Sequence, residues 1–242
     1  MISNGSKIDQ DVISKMKSKW NINSVQITFD GSCDEYATRK SYIDQDNKKI
    51  YYEMLQRIKM LSENEIAVQI RLNIDKKNIE SILEVANDIQ YLFADNNMVS
   101  YYPAFLTGSG DEDKLSENEK VKVVKNLLLD DKNKKIPVSR YLYKRPKAGA
   151  CFYNQIGAIS IDTAGNIYNC ERKLGRSECA ISNIYDDYTL ENDIRELAGT
   201  RKECQDCVFL PKCLGGCNDA YENKECPCFI DKYIIKAYLD IL

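Results

Sequence analysis

Nine of the ten cysteines lie between Cys151 and Cys228, and their spacing is regular. Cys151 is followed by Gly165, then by Cys170 after four residues. Cys204, Cys207, Cys213 and Cys217 read C-x2-C-x5-C-x3-C, and Cys226 and Cys228 close the run. The chain has no histidine. Thiols at short spacing without imidazole point to thiolate-bound metal, and iron–sulfur clusters and zinc are the usual occupants. Pro211, Gly215 and Gly216 sit among these cysteines. They suit a tight knuckle whose backbone amides approach a bound group closely.

The elements that hold these residues differ along the chain. In the first part, Ile8, Val12, Ile13 and Met16 recur at helical spacing. Ser24–Phe29 reads as a strand stopped by Asp30-Gly31, and 66–74 as a second. Helices are expected around Tyr51–Leu61 and Ile79–Ile89, a strand over Met98–Phe105, and a helix over Leu115–Leu129. Such alternation is the pattern of parallel strands with helical crossovers, an α/β fold. In such folds ligand-binding groups gather at the carboxyl ends of strands. Thr28 and Asp30 end one strand and Arg71 and Asn73 the next, so all four are candidates. A parallel sheet beginning at Ser24–Phe29 would leave that strand's outer edge open and the first helix partly uncovered.

A charged stretch with two prolines, 131–149, reads as a linker between a first domain, 1–130, and a second, 150–242. Ala158–Ile161, a turn through Gly165, and Asn166–Cys170 read as a β-hairpin. Phe229–Leu242 reads as a closing amphipathic helix.

Composition narrows the function classes. The net charge is −3, with no basic stripe for nucleic acid. No apolar run approaches the roughly 20 residues of a membrane span. The N-terminus carries no apolar signal core, so a cytoplasmic chain with reduced thiols is expected.

The cysteine spacing closely resembles the SPASM domain of radical S-adenosylmethionine (SAM) enzymes. That pattern is a cysteine, 9–15 residues, G-x4-C, a gap, C-x2-C-x5-C-x3-C, a gap and a final cysteine. Here Cys151, thirteen residues, Gly165-x4-Cys170, Cys204 to Cys217 and Cys226 match it term by term. Ser3 to Gly5, Val25 to Gly31 and Val68 to Asp75 resemble the ends of the third, fourth and fifth strands of the radical SAM partial barrel.

The resemblance implies the C-terminal half of a partial (β/α)6 barrel followed by a SPASM domain with two auxiliary [4Fe-4S] clusters. Cys151, Cys170 and Cys217 would hold the first, its fourth site open or filled by another residue. Cys204, Cys207, Cys213 and Cys226 would hold the second, with Cys228 the alternative last ligand. Zinc knuckles are the other occupant that all-cysteine sites permit. Cys33, Cys179 and Cys228 fall outside the pattern and read as small apolar residues. Thr28, Arg71 and Arg39 become candidate contacts to the SAM ribose or carboxylate, with Asp30 and Asn73 in the same cofactor-facing set.

Relatives of this kind cleave SAM to a deoxyadenosyl radical that abstracts hydrogen from a peptide or protein. The expected partner is such a substrate, a ribosomally made precursor peptide among the options. The implied outcomes are thioether crosslinking, carbon–carbon crosslinking or oxidation of Ser or Cys to formylglycine. The family's C-x3-C-x2-C loop has no counterpart: Cys213-x3-Cys217 is the one C-x3-C, and position 220 is Ala220. The expectation is therefore a chain that begins near the end of the third strand, lacks the N-terminal barrel half and does not cleave SAM alone. The other reading is a non-catalytic metal-binding module for electron transfer or peptide binding.

Overall fold

A computed structural model describes residues 1–42, 46–106, 115–128, 151, 153, 155, 157–186, 201–222 and 230–239. The chain forms two compact units, one of residues 1–143 with 233–242, the other of 144–232.

In the first unit four strands lie side by side in chain order and run parallel: β1 (Ile2–Ser3), β2 (Ser24–Phe29), β3 (Ala67–Ile74) and β4 (Val99–Phe105). Helices α1 (Gln10–Ser18), α2 (Tyr36–Arg39), α3 (Asn47–Glu63) and α4 (Ile79–Phe93) cross between them, and α5 (Glu117–Leu128) follows β4. Asp9 caps α1 by accepting the Val12 N–H at 2.8 Å, and Asp46 caps α3 by accepting that of Lys49 at 3.0 Å. Each satisfies one of the amides that a helix start leaves without a partner.

The strands alternate strictly. Val25, Ile27, Phe29, Val68, Ile70, Leu72, Ile74, Val99 and Tyr101 are buried against the helices. Gln26, Thr28, Gln69, Arg71, Asn73, Ser100 and Tyr102 lie half-buried on the other face. A parallel sheet covered on both sides reads as a continuous apolar run. The polar second face is thus a surface built for something other than core packing.

Two expectations are corrected. The outer edge of β2 is not open along its length, because β1 pairs Ile2 with Gln26 and Ser3 with Ile27. The face of the first helix is largely covered too: Met16 and Ile13, and Ile8 just before it, are buried, and Val12 is half-buried. The short helix α2 has no sequence signal, since four residues cannot show a helical period.

The closing helix α9 (Ile230–Leu239) also falls differently from the boundary drawn at 150–242. From Tyr233 onward it belongs to the first unit. Tyr233 and Ala237 are buried, the Tyr233 ring meets Phe105 edge-on at 5.8 Å, and Lys236 pairs with Glu117 at 2.8 Å. Tyr233 thus packs on Phe105 at the end of β4 and meets Lys120 of α5, and Lys236 pairs with the start of α5. The linker range 131–149 lies outside the described residues.

The second unit carries β5 (Ser160–Ile161), β6 (Asn166–Tyr168) and β7 (Ser182–Asn183), an antiparallel sheet in chain order. The hairpin between β5 and β6 is the one the sequence shows. Short helices α6 (Lys202–Gln205), α7 (Leu210–Cys213) and α8 (Asn218–Glu222) follow. No helix among the described residues is long and apolar enough to cross a membrane.

Candidate functional site

In the first unit the carboxyl ends of β2 and β3 are organised around Asp30. Asn73 Nδ2 donates to Asp30 Oδ1 at 2.7 Å, and Lys40 Nζ pairs with Oδ2 at 2.7 Å. The Asp30 carbonyl accepts from Arg39 Nε and from Asn78 Nδ2, both at 2.7 Å. Arg39 Nη2 reaches Asp75 Oδ2 at 2.6 Å. Asn78, almost fully buried, also donates to the Asn73 carbonyl and accepts the Asp75 N–H. Asp30 and Arg39 are therefore bound into a frame that fixes the loops after both strands.

Arg71 and Asn73 differ from them. Arg71 Nε and Asn73 Oδ1 are buried with no hydrogen-bond partner. Leaving a buried polar atom unpaired costs about 1–3 kcal/mol, so a donor and an acceptor left this way fit a polar ligand. In register with Arg71 stand Thr28 on β2 and Tyr102 on β4. Tyr102 donates to Gln26 Oε1 at 2.9 Å. Burial pushes the Tyr102 phenol up, and the Arg71 charge opposes that shift. The five sequence candidates thus gather at one end of the polar face. Lys40, Asp75, Asn78, Gln26 and Tyr102 were not foreseen. A readable signal exists for two of them: the Asp75-x2-Asn78 turn directly after a strand.

In the second unit Gly165 has φ +83, a backbone that side chains rarely adopt, and an added Cβ would stand 2.8 Å from Ile184 Cγ1. Asp162 closes the same turn, accepting from the amides of Ala164 and Asn166, the Asn166 side chain and the Tyr168 hydroxyl. The turn delivers Cys170 to the end of β6. Cys217 and Cys170 lie near enough to Cys151 for their charge to raise its thiol, and Cys217 acts on Cys170 in the same way. Burial pushes the Cys151 thiol up, followed by Cys217, Cys170 and Glu171, against a backbone N–H from Tyr153. Burial also pushes Cys170 up, and backbone N–H groups of Arg172 and Lys173 oppose it. Cys217 Sγ accepts from the Ala220 N–H at 3.5 Å and faces Arg172 Nη1 at 3.7 Å.

Cys204 and Cys207 lie on one turn, the Cys207 N–H donating to the Cys204 carbonyl at 3.1 Å. Leu214, Gly215 and Gly216 all have positive φ, which turns the chain between Cys213 and Cys217. Buried Arg201 clamps that turn, donating to the Gly215 carbonyl at 3.0 Å and to Asn218 Oδ1. Arg201 and its partners carry no spacing signal. The side chain of Cys213, and Cys226 and Cys228 entirely, lie outside the described residues.

Among the described residues no group of three or more Cys, Asp or Glu side chains is spaced to share a single ion. Thiolates on the corners of a four-iron cube stand farther apart than those around one ion. Three neighbouring cysteines whose sulfurs receive N–H groups, with a guanidinium beside Cys217, are a donor set that fits such a cluster, since hydrogen bonds to sulfur and local positive charge stabilise bound thiolate.

No protein-family profile matches the sequence, and no characterised protein matches it by sequence. Solved structures match in fold. Native anSMEcpe, an anaerobic sulfatase-maturating enzyme of the radical SAM/SPASM group, with bound AdoMet and the Cp18Cys peptide, gives a TM-score of 0.66 at 15% identity, covering 98% of this chain and 70% of that one. Native anSMEcpe with AdoMet alone gives 0.64 at 15% identity, covering 98% and 69%. Streptococcus suis SuiB gives 0.48 at 16% identity, covering 96% and 59%. The chain shares the α/β fold with a parallel sheet seen in the first two.

Proposed function

We propose that this chain acts in radical SAM chemistry on a peptide or protein, carrying two auxiliary [4Fe-4S] clusters in its second unit. The observation that carries the reading is that Cys217 lies 3.7 Å from Arg172, two residues after Cys170, and that both cysteines act on Cys151, in a chain with this fold. The second cluster draws on Cys204, Cys207, Cys213 and Cys226, with Cys228 the alternative. The fold of peptide-bound and AdoMet-bound anSMEcpe supports a peptide partner and SAM for this one.

The roles divide by unit. Bound SAM would supply hydrogen-abstracting chemistry when reduced by a cluster other than the two auxiliary ones. Arg71 Nε and Asn73 Oδ1 offer a fixed donor and acceptor to the ligand on the polar face. Thr28 lies in the same row. Asp30 holds Asn73 directly, and Lys40, Arg39 and Asp75 fix the loops around it; such pre-set geometry removes ordering cost at binding. In the second unit the chain holds thiolates in a shell of N–H groups.

A second reading keeps the clusters without SAM chemistry, as an electron-transfer or peptide-binding module. The lack of a C-x3-C-x2-C segment in this sequence favours it. Equilibrium dialysis of SAM against the anaerobically reconstituted protein separates the two. The first reading expects saturable uptake, weakened about tenfold or more in Arg71→Met, the loss expected for one charged hydrogen bond. Clusters without saturable SAM uptake would establish the second.

A further inference from the structure

Arg172 touches two of the three thiols of the first cluster site in different ways. Its backbone N–H points at Cys170 Sγ, from the 3-10 turn Glu171–Lys173 that begins right after that cysteine. Its guanidinium Nη1 stands 3.7 Å from Cys217 Sγ, 45 residues away in sequence. The guanidinium is held there from behind. Arg172 Nε pairs with Asp219 Oδ2 at 3.1 Å, and Asp219 is buried with only 4% of its side chain exposed. Arg176 Nη2 grips the other oxygen, Oδ1, at 2.6 Å and also donates to the Arg172 carbonyl at 2.9 Å. Two arginines on one carboxylate carry a net positive charge, and its Arg172 part reaches Cys217, while Asp219 acts on Cys170 and Glu171 on Cys151 with the opposite sign.

We infer that Arg172 is a positioning and tuning residue that sets the reduction potential of the cluster on Cys151, Cys170 and Cys217, with Asp219 as its anchor. This rests on the cluster reading given above. The physics is direct. Reduction adds one electron to the cluster and nothing leaves it, so its charge becomes more negative. A cation beside a ligand sulfur stabilises that state more than the oxidised one and raises the potential, as hydrogen bonds to sulfur also do. Ala220 and the amides of Tyr153, Arg172 and Lys173 also address the three sulfurs, but they are neutral dipoles. Among the hydrogen-bond contacts to these sulfurs, Arg172 supplies the formal positive charge, and the Lys173 ammonium, which also acts on Cys170, is paired with Glu222 at 2.6 Å. Its side chain is 36% exposed, so water screens part of the effect but not all.

The geometry also supplies a clean test, because the backbone contact to Cys170 survives any substitution at 172. The protein is reconstituted with iron and sulfide and titrated with dithionite under electron paramagnetic resonance. Arg172→Gln is expected to keep wild-type iron and sulfide, and to lower the reduced-to-oxidised ratio of the first cluster about tenfold at the wild-type midpoint. That is a 59 mV shift for a one-electron couple. Arg172→Lys, which keeps the charge, is expected to move the ratio less than threefold, and the second cluster is expected to keep its midpoint in both. An unchanged potential in Arg172→Gln, an equal shift in Arg172→Lys, or loss of iron in Arg172→Gln would each overturn the inference while leaving the cluster reading intact. Failure of the wild-type protein to bind a cluster at these cysteines would instead overturn the reading on which it rests.

Discussion

Arg39 and Asp75 meet at 2.6 Å with 19% and 14% of their side chains exposed, and this ion pair ties the loop after β2 to the end of β3. Arg39 also donates to the Asp30 carbonyl, so one guanidinium fixes both strand ends. Removing one partner of a mostly buried pair leaves the other charge uncompensated. Arg39→Met and Asp75→Asn are each expected to cost about 1–3 kcal/mol. Urea denaturation of both variants and of the double variant checks this. The double variant should cost clearly less than the sum, since the two sites share one interaction.

Tyr36 and Tyr51 are fully buried beside Phe29, with the Tyr51 hydroxyl donating to Asp88 at 2.7 Å. Burial pushes both phenols well above their ordinary value of 10.0, and for Tyr51 the Asp88 carboxylate adds to it. The folded chain therefore keeps protons that the unfolded chain releases. Stability is full below pH 10 and falls as pH rises above it, by about 1.4 kcal/mol per pH unit for each tyrosine. Denaturation curves from about pH 9 to 11 should show the loss. Tyr51→Phe should flatten it while lowering stability at neutral pH by about 1 kcal/mol, the ordinary worth of one hydrogen bond.

Gly165→Ala should cost about 1–3 kcal/mol, the range for a residue forced into a sparsely populated backbone region. The new methyl group would also press on Ile184 Cγ1 at 2.8 Å and Asn183 Oδ1 at 3.2 Å. The turn places Cys170, so the same variant should bind less iron. Iron content and thermal melting of the reconstituted variant check both parts.

Much of this was legible in the sequence because periodicity survives wherever an element is long. The alternation of 66–74 announced the strand found at Ala67–Ile74, and Gly165-x4-Cys170 announced a turn with Cys170 at its exit. What escaped has a physical reason. Tyr233 and Ala237 say that α9 is amphipathic, but not which surface it meets; that surface holds Phe105, 128 residues before Tyr233, and Lys120, 113 before it. Arg172, Asp219 and Arg201 act through contacts between distant positions, which no local spacing records. The Asp30 frame is legible only in part, since Asp30 marks a strand end but Lys40 and Asn78 reach it from separate loops.

SAM cleavage should be absent from this chain by itself. The three thiolates of a C-x3-C-x2-C loop, which leave one iron free for SAM, have no counterpart in the sequence. Incubation of the reconstituted protein with dithionite and SAM, followed by chromatography, should yield no deoxyadenosine above a cluster-free control. Turnover above that control would mean that one of the auxiliary sites binds and reduces SAM itself.

The central claim is that the cysteines of the second unit hold two four-iron clusters, and elemental analysis tests it most directly. After anaerobic reconstitution the account expects about eight iron and eight sulfide per chain, with thiolate-to-iron absorption in the visible. Cys170→Ala should keep about four of each by losing the first cluster, and Cys207→Ala about four by losing the second. Stoichiometric zinc with no sulfide would contradict the account and make the second unit a pair of zinc knuckles.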